Sequence, residues 1–94
     1  MKAMLLALAL MATSGEVPRV DDFVGAPYSK LKAAFLAAGW QLQLDGDGIN
    51  ADYPEISCGS GYDALCSVGF SKGQAYQAVT LEHGSNGWVV TGEY

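Results

Sequence analysis

The sequence predicts an α+β domain, with one main helix packed on an antiparallel sheet of about four strands. Three observations carry that expectation. Pro27 to Ala38 has the three-and-four spacing of an amphipathic helix. Several short segments alternate apolar and polar residues, as half-buried strands do. The connections between them are short and rich in Gly, Asp and Asn, the residues of tight turns.

Residues 1–14, MKAMLLALALMATS, come first. Lys2 is followed by an apolar run from Ala3 to Ala12, then by small residues at Ala12 and Ser14. That is the order of a secretory signal cut ahead of Gly15. The run is shorter than the roughly 20 residues of a membrane span. Its apolar positions lie all around a helix rather than on one stripe, which argues against a first helix of the domain. The expected organisation is a signal-like segment over 1–14 and one small α+β domain over 15–94. Processing would leave no membrane span and place the domain in a periplasm or outside the cell. Glu16 to Ala26, with Pro18 and Gly25, reads as a partly mobile lead-in.

The helix follows. Tyr28, Leu31, Phe35 and Ala38 share a face, with Lys30 and Lys32 away from it. Pro27 suits the first helical position, where a missing N–H costs nothing. Gly39 suits the left-handed residue that ends a helix, and Trp40 can fold back on the last turn. Trp40, Leu42 and Leu44 then alternate with Gln41 and Gln43, a strand ended by the turn Asp45-Gly46-Asp47-Gly48. Ile49 to Ile56 contains Pro54 and is at best an edge strand. Leu65 to Phe70 places Cys66, Val68 and Phe70 on one side. Ser71 to Gln74 turns the chain into Ala75 to Glu82, with Val79 and Leu81 inward. His83 to Gly87 reads as a loop, and Trp88 to Thr91 as the last strand.

Charge and composition exclude some functions. The 94 residues carry ten acidic and five basic side chains, a net charge of −5. Loss of residues 1–14 removes Lys2 and no acid, leaving four basic against ten acidic residues, a net of −6. No basic run exists, which disfavours nucleic acid and anionic lipid as partners. A domain of roughly 80 residues with twelve glycines folds with little margin, so a covalent staple is useful.

Cys58 and Cys66 are the only cysteines. In an exported chain they are expected to form a structural disulfide. A redox pair would want Cys-x-x-Cys spacing, and zinc would want more ligands than two Cys and one His. The calcium alternative rests on Asp45, Asp47, Asn50 and Asp52, four oxygen donors within eight residues. Their register is not that of an EF-hand, because Asn50 stands where Gly belongs and Ile56 where Glu belongs. Ser29-x-x-Lys32 matches one element of the serine enzymes that use that motif, but Ser-Asp-Asn and Lys-Thr-Gly are missing. His83 is the one histidine, and no nucleophile elbow or phosphate loop accompanies it. No catalytic residue and no cofactor is assigned.

Tyr28-x-x-Leu31, Gly39-Trp40, Cys58, Cys66, Phe70 and a closing strand pair together resemble small exported bacterial α+β proteins, in which a helix ends in Gly-Trp and a two-cysteine antiparallel sheet follows. That resemblance implies a fold and carries no activity or ligand. The remaining expectation is a non-catalytic envelope binding module for a protein or ligand the sequence does not specify, an inhibitor of an envelope hydrolase being one version. Tyr76 and Thr80, facing away from Val79, are the candidate contacts, and open sheet edges are a second possible surface.

Overall fold

A computed structural model describes residues 17–44, 51–59 and 65–94. The α+β architecture is as expected. Among the described residues, one helix, α1 (Tyr28–Ala37), lies on an antiparallel sheet of five strands. These are β1 (Gln41–Leu42), β2 (Ser57–Cys58), β3 (Cys66–Lys72), β4 (Ala75–Gly84) and β5 (Gly87–Glu93). β3, β4 and β5 form a meander. β1 and β2 both pair with the free side of β3, β1 against Phe70 and Ser71, β2 against Cys66 and Ser67.

Pairing register decides which face is buried. Val68 stands opposite Val79, Phe70 opposite Gln77, and Leu81 opposite Val90. Val68, Phe70, Val79, Leu81 and Val90 form the core with Tyr28, Leu31 and Phe35 of α1. The three helix residues recur at the spacing that puts them on one stripe. Phe35 sits at the centre, its ring 4.9 Å from Phe70 and 5.4 Å from Trp40.

The helix end follows the sequence closely. Gly39 takes φ +94°, a conformation costly to any residue with a Cβ. Its N–H donates to Leu36 O and that of Trp40 to Phe35 O, at 3.1 and 3.0 Å, the paired bonds of a Schellman motif. Lys72 adds a third closure, its Nζ donating to Ala38 O, where a cation also meets the negative end of the helix.

Several boundaries differ from expectation. Pro27 caps α1 from outside, with extended backbone at φ −60°, ψ 141°, because Ala26 and Pro27 are drawn toward β5. Val90 N donates to Ala26 O, Gly25 N donates to Val90 O, and Pro27 bridges Val89. Within the lead-in, Val20–Phe23 forms a 3-10 turn whose Val20 is buried in the core. Leu44 is exposed, because the β1 ladder stops after Gln43 N donates to Gly69 O. The edge strand is Ser57–Cys58, and residues 51–56 of the expected segment form bends and a turn ahead of it, Ile49 and Asn50 lying outside the described residues. β4 and β5 run longer than their alternation suggests, so His83 lies in a strand and only Ser85 and Asn86 turn the chain.

Candidate functional site

The sheet face away from α1 carries Ser67, Gly69 and Ser71 of β3 opposite Thr80, Ala78 and Tyr76 of β4. Small residues leave this face low, and Tyr76 stands on it, 64% exposed. Its ring lies across Gly69. A Cβ at Gly69 would come within 2.9 Å of Tyr76 Cζ and would overlap its hydroxyl. Glycine here is what lets the ring lie down. Tyr76 and Thr80 thus share the outward face that their alternation predicts, two strand positions either side of Ala78. They are not equally available. Thr80 is half-buried, its hydroxyl donating to Gly92 O at 3.1 Å and sharing a 2.8 Å hydrogen bond with Thr91 Oγ1. That bond sits where the β4–β5 register slips between Thr80 and Leu81.

The edges offer less than the sequence implies. β3 is covered on its free side by β1 and β2, each of two residues. β5 is covered at Val89 and Val90 by the segment before α1. Very short edge strands are a common way of blocking strand addition.

At the other end of the molecule, Glu55 is a buried carboxylate, only 3% exposed. It accepts a 2.8 Å hydrogen bond from Tyr28 Oη and pairs with Lys32 Nζ at 3.1 Å. Two partners of this kind are what makes burial of a charge tolerable. Burial first, and then the hydrogen bond to Glu55, push the Tyr28 hydroxyl pKa well above the ordinary tyrosine value. Lys32 Nζ also lies 5.1 Å from the centre of the Tyr53 ring, which meets Tyr28 edge to face at 5.2 Å. Sequence reasoning missed Glu55. A single Glu after Pro54 looks like any solvated loop acid, and its two partners lie on a helix far away in sequence.

This cluster backs a cleft of about 180 Å³. Pro27, Tyr28 and Ser29 at the start of α1 form one wall. Asp52 and Tyr53 form the second, and His83, Asn86, Gly87 and Trp88 at the β4–β5 turn form the third. His83 and Trp88 stand opposite each other across the strands, with rings 4.8 Å apart and tilted by 59°. Among the described residues the buried Trp88 indole N–H has no acceptor.

The other sequence candidates are placed as follows. Cys58 and Cys66 are directly opposite on β2 and β3 and are bonded, with sulfurs 2.04 Å apart. Asp45, Asp47 and Asn50 lie outside the described residues. Asp52 is exposed on the cleft wall, and no group of three metal-binding side chains occurs among the described residues. Lys32 is paired with Glu55 rather than directed at Ser29 chemistry. Among the described residues no helix is long and apolar enough to cross a membrane. Compared with known proteins, the chain matches no protein family, no curated protein and no solved structure.

Proposed function

We propose that this protein is an exported, non-catalytic binding module that presents the uncovered face of its sheet to a protein partner. The observation that carries this is Tyr76, an exposed ring seated over Gly69 on an otherwise low face. A large aromatic held in one place loses little freedom when a partner covers it, and such residues dominate binding energy at interfaces. The net charge of −5, with exposed Glu82 on the same strand, selects a partner of positive surface potential. A basic envelope hydrolase would be one such partner, with this protein as its inhibitor. The Cys58–Cys66 disulfide supports an oxidising compartment.

A pull-down from envelope extract with the full chain tests the reading. A basic protein should be retained by the parent chain and lost with Tyr76→Ala. Gly69→Ala should weaken retention as well, since it lifts the ring without removing it. Equal retention by all three chains would overturn the proposed face. Turnover in a substrate screen, with no protein retained, would overturn the binding-module reading.

A further inference from the structure

The cleft between the start of α1 and the β4–β5 turn lies away from Tyr76, and its lining is selective. Four rings border it: Tyr28, Tyr53, His83 and Trp88. The remaining functional groups are short and polar, from Ser29, Asp52 and Asn86. Among the described residues no Leu, Ile, Val or Met side chain contributes, so an alkyl chain finds little there to pack against.

Charge narrows the ligand from both directions. An anion would meet Asp52 on the wall and a chain of net charge −5. A cation would meet the positive end of α1 and would find the Tyr53 ring already occupied by the Lys32 ammonium, which is itself neutralised by Glu55. The site therefore suits a neutral molecule. Ring geometry narrows it further. Tyr28 and Tyr53 are nearly perpendicular at 78°, and His83 and Trp88 are tilted by 59°, so neither pair forms a parallel slot for a flat aromatic ligand. Ring faces are electron-rich and attract weakly positive C–H groups, while Ser29, Asp52 and Asn86 offer donors and acceptors around them. At about 180 Å³ the space is smaller than a drug-sized pocket and suits a single ring.

We propose that this cleft binds one neutral pyranose unit, its C–H face on the aromatic walls and its hydroxyls on Ser29, Asp52 and Asn86. The site is independent of the Tyr76 face.

Saturation-transfer NMR on the full chain, with glucose, galactose and N-acetylglucosamine as probes, tests the proposal. At least one sugar should receive saturation at its ring C–H protons and shift the Trp88 indole resonance. Affinity for a lone unit should be on the order of millimolar. Trp88→Ala should abolish the transfer. Asn86→Ala lies in an exposed turn and preserves the core, so it serves if Trp88→Ala does not fold; it should weaken binding by about tenfold, the loss of one or two hydrogen bonds. Tyr76→Ala should leave sugar binding unchanged even if it loses a protein partner, which separates the two sites. Absence of transfer from all three sugars, or binding of tetramethylammonium or indole in their place, would overturn the assignment.

Discussion

Tyr28 contributes to three parts of the molecule through one side chain. Its ring is core, its edge meets Tyr53, and its hydroxyl holds Glu55. The hydroxyl pKa is raised on folding, so the folded protein resists ionisation that the unfolded chain accepts near pH 10. The unfolded state then binds fewer protons, and stability present below pH 10 is lost as pH rises beyond it. Denaturant unfolding should show the parent losing about 1.4 kcal/mol more than Tyr28→Phe between pH 7 and pH 11. An identical alkaline decline in both chains would mean that the hydroxyl ionises freely. Phe35 offers the complementary core test. It is 1% exposed, and Phe35→Ala should cost about 3–5 kcal/mol by equilibrium unfolding; a loss below about 1 kcal/mol would place the ring at the surface. Phe35 was legible in the sequence because three-and-four spacing reports a helix face. Glu55 was not, because a buried acid is defined by distant partners and leaves no local pattern.

Among the elements, the ends of α1 were unequally readable. The C-terminal stop is written locally in Gly39-Trp40, whereas the N-terminal boundary depends on pairing with β5, which no nearby residue announces. A Cβ at Gly39 would meet only Lys72 atoms at 3.5 and 3.6 Å, an ordinary contact. Gly39→Ala should therefore cost only backbone strain, about 1 kcal/mol, and a much larger loss in thermal melting would reveal a clash instead. β2 was invisible for a related reason. Two residues carry no periodicity, and Ser57–Cys58 is a strand because β3 and the disulfide hold it. Replacing Cys58 and Cys66 together by Ser should destabilise the protein by about 2.5 kcal/mol, the chain-entropy value for so short a loop. Equal stability of the double variant and the oxidised parent would show that β2 holds itself in place.

For the whole molecule, the layer arrangement was legible and the cleft was not. Alternation and helical spacing specify which faces meet. The cleft joins residues from three separate stretches, and its size is a property of their packing. Export is also a whole-molecule expectation. Intact mass of the protein from its native envelope fraction should match a chain beginning near Gly15, and a soluble cytoplasmic form retaining residues 1–14 would refute it.

The attachment of Gly25 to Pro27 along β5 has a consequence for the order in which the chain can fold. Of the described elements, β5 leaves the ribosome last. It carries the buried Val90 and the backbone groups that receive the segment before α1. Until it emerges, Tyr28, Leu31 and Phe35 lack one wall of their enclosure and the N-terminal segment has nothing to bind. Docking of the helix is thus coupled to the emergence of β5. If the protein is exported as proposed, this order would keep α1 undocked while the elements ahead of β5 are being made.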